Sequence, residues 1–293
     1  MKDHIKHIVI ISLVMWGLAQ AQVSEIVVSF ENEGQAVMGT LAVPNDATDY
    51  PLVLLLHGFT GTRDELPVLG TEEGMFSRSA RVLAEQGYAS LRIDFRGSGE
   101  SDGEWADTTF GGQISDARAA LDYIETLPDV DTARIGVIGL SQGGLVAASI
   151  ADDPRVASLI LWSPVANPPS TYATIVGTDV VQAALQTEGA TTFMLPWGEE
   201  TTLGRGFFDG LYAVDPIAEI TAYSGPLFVI VGALDDTVAP QPYYGQIYVD
   251  YHSGESNLLV LEQGDHVFNV LSTGSELLDE VISASVSWFE ETL

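Results

Sequence analysis

The sequence contains no cysteine, and its only two lysines, Lys2 and Lys6, stand among the first six residues. The first absence excludes disulfides, thiolate catalysis and cysteine-based metal sites. The second leaves arginine as almost the whole cationic inventory, against 41 acidic residues and a net charge of -30. A field of that sign repels nucleic acid and anionic membranes, so binding either is excluded as a function. Histidine is also scarce, with five in all, and the acidic residues are spread along the chain without ligand-like spacing; together these argue against a metal centre. A dense carboxylate surface without lysine matches a protein kept soluble in concentrated salt, where acidic groups hold water and cations while salt screens their repulsion.

Long apolar runs are missing too, apart from one at the start. Lys2 and Lys6 precede Ile8–Ala19, which only Ser12 interrupts, and Ala19-Gln20-Ala21 has the small-x-small form of a signal-peptidase site. The run is short for a membrane span. Residues 1–21 therefore read as a signal peptide, and a secreted or periplasmic protein beginning near Gln22 is expected, one unit more negative than the whole chain.

What remains is ample for one large domain. Ile26–Phe30 and Val37–Val43 flank Asn32-Glu33-Gly34 and predict a hairpin. Pro51–Leu56, Ala89–Phe95, Arg134–Leu140, Val156–Trp162, Pro226–Gly232 and Asn257–Leu261 are apolar runs of the kind buried on both faces of a parallel sheet. Helical spacing over Ser77–Gln86, Phe110–Leu127, Tyr243–Tyr251 and Ser275–Thr292 separates several of them. Strands alternating with helices predict an α/β fold with a mostly parallel sheet. The alternation pauses over about 164–225, rich in Thr, Pro, Gly and aromatics, with one helix expected near Asp179–Gln186. Its aromatic content argues against disorder, and its length reads as a cap inserted into a single domain spanning 22–293.

Gly139-Leu140-Ser141-Gln142-Gly143 lies between a β-branched run and a helix start. A serine on so sharp a strand-to-helix turn needs glycine on both sides and holds its hydroxyl over the sheet edge. Such a serine requires a base, and histidine is the side chain suited to that near neutrality. His57 precedes a glycine and reads as a loop brace; His252 ends a helix and is expected at the surface. His266 falls just past the last strand, where open α/β sheets carry their function, and is the candidate base. Asp235 and Asp236, after the preceding strand, both qualify as the acid that orients it. The backbone N–H groups of Gln142 and Phe59 are candidate oxyanion donors.

The order Ser141, Asp235 or Asp236, His266, with His57-Gly58-Phe59-Thr60-Gly61 and Asp94-x-Arg96-Gly97-x-Gly99, resembles the α/β-hydrolase superfamily from about Pro51 to the C-terminus. Within it, the His57–Gly61 and Gly139–Gly143 motifs and the aromatic insertion are similar to bacterial carboxylesterases of the cinnamoyl/feruloyl type. The resemblance implies a small-molecule ester substrate, no cofactor, oxyanion donors at Phe59 and Gln142, and Asp235 as the acid. Trp197, Phe207 and Phe208 of the cap would then either contact an aromatic acyl group or form the cap's own small core. A serine peptidase of the prolyl-oligopeptidase type and a thioesterase share the same triad order.

Overall fold

The computed structural model describes residues 23–45 and 48–293; the signal peptide expected over 1–21 lies outside them. Strands β1 (Ser24–Asn32) and β2 (Gln35–Val43) form the expected hairpin, with Glu33 and Gly34 both at positive φ, as a two-residue turn matching strand twist requires. Then follow β3 (Tyr50–Leu56), α1 (Met75–Glu85), β4 (Ala89–Ile93), α2 (Phe110–Ile124), β5 (Val130–Leu140), α3 (Gln142–Ser149) and β6 (Val156–Trp162). The inserted segment holds α4 (Pro168–Ile175), α5 (Thr178–Ala184), β7 (Ala190–Met194), β8 (Glu200–Gly204), α6 (Arg205–Gly210) and α7 (Pro216–Ile220). The chain closes with β9 (Leu227–Gly232), α8 (Tyr243–Tyr251), β10 (Ser256–Leu261) and α9 (Glu276–Thr292).

Eight strands form one sheet in the order β1-β2-β4-β3-β5-β6-β9-β10, parallel from β4 to β10, with β1 and β2 antiparallel at one edge. Alternation along β3 divides the core. Leu52, Leu54 and Leu56 face α2, α3, α8 and the inserted segment, while Val53 and Leu55 face α1 and α9. Burial on both faces explains why the parallel strands read as unbroken apolar runs. It also brings the C-terminal ends of β3, β5, β9 and β10 to one edge.

All nine arginines of the described residues, Arg63 through Arg205, pair with a carboxylate. Two such pairs secure loops near the functional edge: Arg63 donates to the buried Asp94, and Arg96 to Asp116 at 2.6 Å. Among the described residues most acidic side chains have no arginine partner. Among the described residues no helix is long and apolar enough to cross a membrane.

Candidate active site

The turn after β5 is as tight as its glycines imply. Ser141 has φ 55° and ψ -115°, a strained region for a side chain-bearing residue. A Cβ on Gly139 would stand 2.2 Å from the Gly143 carbonyl oxygen, and one on Gly143 would stand 2.0 Å from that of Leu56. Only hydrogen fits at either place. Ser141 donates its amide to Trp162 O (2.8 Å), and its carbonyl accepts from Gly144, Leu145 and Val165, so the strain is held by surrounding backbone.

The structure brings Ser141, His266 and Asp235 together. Ser141 Oγ lies 3.0 Å from His266 Nε2, and His266 Nδ1 lies 2.8 Å from Asp235 Oδ2. The carboxylate can only accept, so Nδ1 carries the proton and Nε2 presents its lone pair to the serine hydroxyl. Asp235 is 5% exposed, and its other oxygen accepts from the amides of Thr237 (2.9 Å) and Val238 (2.8 Å). Asp236 is exposed. Of the two aspartates, it is Asp235 that lies within hydrogen-bond distance of His266. The loop carrying His266 is latched by Asp265, which accepts from the amides of Val267 and Asn269 at 3.0 and 2.7 Å, while Asn269 Oδ1 accepts from the Asp265 amide. No pattern in the sequence signals that latch.

The pairing of Leu56 with Gly139 sets the His57–Gly61 loop beside the serine turn. The amides of Phe59 and Gln142 have no hydrogen-bond partner among the described residues, and Gln142 opens α3, where the first amides lack intrahelical acceptors. Two free N–H groups therefore flank the serine. The Gln142 side chain is buried and fixed: Tyr172 donates to its carbonyl oxygen, and its amide nitrogen donates to Gln113. This link ties the serine turn to α2 and to the inserted segment.

His57 is fully buried and does brace a loop. Its Nε2 accepts from the Phe95 amide at 3.2 Å, so Nδ1 carries the proton and donates to Gly58 O at 2.8 Å. Burial lowers its pKa to about 4. The unfolded chain takes up this proton near pH 6.5 and the folded chain does not, so stability falls as pH drops from 6.5 toward 4. The expected loss from this one group is about 3 kcal/mol. Denaturant melts of wild type and His57→Gln across that window should converge on acidification; a constant gap would contradict the buried neutral imidazole. His252 departs from the expected exposure. It is 8% exposed, with its ring 5.5 Å from that of Tyr223, because the Ser224–Gly225 turn and Gly254 close over the end of α8.

Two cap aromatics also depart from the expected contact with an acyl group. Phe207 and Phe208 are fully buried, with no exposed surface to offer a substrate. Phe207 packs on Phe110 (4.9 Å between centroids), Tyr172 (5.1 Å) and Phe59 (5.7 Å), and Phe208 on Phe193 (6.1 Å). Each contributes roughly 1.5–3 kcal/mol by burial, and aromatics in a short insert are needed first for its own core. Trp197 is 53% exposed at the turn of the β7–β8 hairpin, its indole N–H held by Glu199 at 3.0 Å. The space beside the loop is lined differently. A cavity of about 270 Å³ lies between Thr60–Thr62, Ser98, Trp105 and the hairpin residues Leu195, Glu199 and Thr201.

One group near the site carries no signal in the sequence. Glu65, at φ 59°, turns its carboxylate inward and accepts from the Gly58 amide at 2.7 Å. Burial of that carboxylate raises its pKa to about 7, against the opposing effects of the Gly58 hydrogen bond and of the nearby His266 charge.

Comparison with known proteins agrees with this architecture. A family model described as alpha/beta hydrolase fold matches residues 51–207. An uncharacterized 31.7 kDa protein of Escherichia coli is 34% identical over 130 residues, 44% of this chain and 42% of its own length. A putative carboxymethylenebutenolidase of Synechocystis is 27% identical over 177 residues, covering 54% and 68%. The match thus spans less than half of the Escherichia coli protein. Among solved structures, Est1E of Butyrivibrio proteoclasticus with ferulic acid bound superposes with TM-score 0.74 at 23% identity, over 90% of this chain and 98% of that one.

Proposed function

Because the chain belongs to the α/β-hydrolase family, we propose that it is a serine carboxylesterase acting on small-molecule carboxylic esters. The observation that carries this reading is the continuous hydrogen-bonded line from Ser141 through His266 to Asp235. Ser141 Oγ attacks the ester carbonyl as His266 Nε2 takes its proton, and the buried Asp235 carboxylate stabilises the imidazolium. The negative charge developing on the carbonyl oxygen would be met by the Phe59 and Gln142 amides, whose freedom from other acceptors supports that role. Collapse of the tetrahedral intermediate expels the alcohol, which takes the proton from His266. Water, activated by the same imidazole, then hydrolyses the acyl-enzyme.

A bound ferulic acid in Est1E and the Trp105 wall of the neighbouring cavity favour aromatic acyl esters of the cinnamoyl or feruloyl type among the candidates. A fluorophosphonate probe should label the wild type and not Ser141→Ala. The same pair, assayed on p-nitrophenyl acetate, butyrate and longer esters, on methyl ferulate and on an aminoacyl p-nitroanilide, should show ester hydrolysis in the wild type alone. Failure to label, or turnover of the anilide in preference to every ester, would overturn the reading.

Habitat belongs to the same reading. The signal-like residues 1–21 support a secreted or periplasmic location, and the lysine-free surface, with all nine arginines of the described residues already paired, supports a habitat in concentrated salt. The melting temperature is expected to rise between low salt and about 2 M NaCl as carboxylate repulsion is screened; a steady fall would exclude adaptation to salt.

A further inference from the structure

Resting on the serine esterase reading, we propose that Glu65 is a positioning residue of the active site, whose carboxylate sets the loop that presents the Phe59 amide and supplies His266 with a negative charge additional to that of Asp235. Glu65 Oε2 accepts from the Gly58 amide at 2.7 Å, and Gly58 is the residue between His57 and Phe59. A Cβ built on Gly61 would fall 2.7 Å from the same oxygen and 2.9 Å from Oε1, so the loop is wrapped around this carboxylate and a larger side chain at Gly61 would push it aside. A Cβ on Gly58 would lie 3.7 Å from Glu65 Oε2 and 3.5 Å from Ser141 Cβ. The carboxylate and the serine thus border one peptide unit from two directions.

The conformation that delivers the group is a strained one. Glu65 has a left-handed backbone held by its amide donating to Thr62 O at 2.8 Å, and non-glycine residues adopt that region at a cost. Its chain neighbours are committed elsewhere: Arg63 to Asp94 and Glu100, and Asp64 to Arg92. His57, on the other side of Gly58, is buried and neutral and donates to the Gly58 carbonyl. Asp265 is occupied by the amides of its own loop. The serine that borders the same Gly58 position lies 3.0 Å from His266 Nε2, so the imidazole stands on the same side of the loop as this carboxylate, and its charge favours the ionised form of Glu65.

The consequence is a switch in strength within the working pH range. Glu65 ionises at about pH 7. Below that it offers Gly58 a neutral acceptor and His266 no charge. Above it, the Gly58 hydrogen bond becomes charge-assisted and stronger, and the imidazolium formed during acylation gains a second anionic neighbour. Activity should therefore continue to rise as Glu65 ionises.

The test compares wild type, Glu65→Gln and Glu65→Ala by kcat and KM on p-nitrophenyl acetate from about pH 5 to 9, with active sites counted by fluorophosphonate. Glu65→Ala, which removes acceptor and charge, should lose about 10- to 100-fold in kcat with little change in KM. Glu65→Gln can still accept from Gly58 through its amide oxygen; it should recover part of that loss while lacking the rise near pH 7. Wild-type kcat and an unchanged pH profile in both variants would overturn the proposal. So would equal impairment of both with the profile unchanged, because that is a packing role. If Glu65→Ala does not fold, Glu65→Gln alone decides by its pH profile. An independent readout is the Gly58 amide resonance, which should titrate near pH 7 in wild type and not in Glu65→Gln. Its doing so in a protein that hydrolyses no ester would refute the esterase reading and leave the Glu65–Gly58 coupling standing, whereas its absence in an active esterase would refute the coupling alone.

Discussion

Asp235→Asn is expected to lower kcat/KM on a p-nitrophenyl ester about 10⁴-fold, while Asp236→Asn stays within about twofold of wild type. The difference follows from how each oxygen of Asp235 is used. Oδ1 accepts two backbone amides, those of Thr237 and Val238, and Oδ2 accepts from His266 Nδ1. Asparagine has one oxygen to place. Keeping it on the two backbone donors preserves two hydrogen bonds and leaves the NH2 group facing His266, which must then turn an unprotonated Nδ1 toward it. The proton moves to Nε2, the atom that should receive the Ser141 proton across 3.0 Å. The variant would fold normally with its base in the wrong tautomer. Asp236 is exposed and makes no contact with the imidazole, so its charge is largely screened. A crippled Asp236→Asn beside an active Asp235→Asn would reverse the assignment of the acid; loss of folding in Asp235→Asn, seen by circular dichroism, would instead mark the Asp235 turn as structural.

The sequence makes the sheet legible because parallel strands covered on both faces have to be continuously apolar, and Leu52–Leu56 or Leu227–Val231 can hardly be anything else. The serine turn is legible because the close approach of Gly143 to Leu56 leaves glycine as the sole option. Other parts of the chain carry no such constraint. The β7–β8 hairpin is built from Ala-Thr-Thr-Phe-Met and Glu-Thr-Thr-Leu-Gly, in which little beyond Phe193 and Leu203 turns inward, so no apolar run announces it. Phe207 and Phe208 read equally well as core or as ligand platform, since an aromatic side chain serves both and only its depth decides. His252 is hidden by Tyr223 and the Ser224–Gly225 turn, which lie far upstream in sequence and meet it only in the fold. Glu65 is the clearest case. Its placement depends on one left-handed residue and on a contact with Gly58, seven positions earlier, and neither leaves a mark on hydrophobic periodicity.

Gly143→Ala is expected to be the most damaging single methyl group that can be added to the site. The new Cβ would sit 2.0 Å from Leu56 O and 2.5 Å from His57 O, both backbone atoms that no rotamer change can move. Relief requires α3 to withdraw from the end of β3, which costs about 3–5 kcal/mol and lowers the melting temperature by about 10 °C in a domain of this size. The same withdrawal separates the two candidate oxyanion donors, because the Gln142 amide travels with α3 while the Phe59 amide stays with the loop after β3. Molecules that remain folded should therefore lose about 10²-fold or more in kcat, comparable to deleting one donor. Gly111→Ala is the control that separates this clash from a general intolerance of alanine for glycine. Gly111 is exposed in the first turn of α2, with nothing within 4 Å of its added Cβ, and the change should raise stability by about 0.5 kcal/mol by restricting the unfolded chain. Thermal melts and p-nitrophenyl ester assays on the two variants decide the matter. If Gly143→Ala melts and turns over like wild type, then α3 and the β3 loop are not in the contact described, and the paired amides lose their structural basis as an oxyanion site.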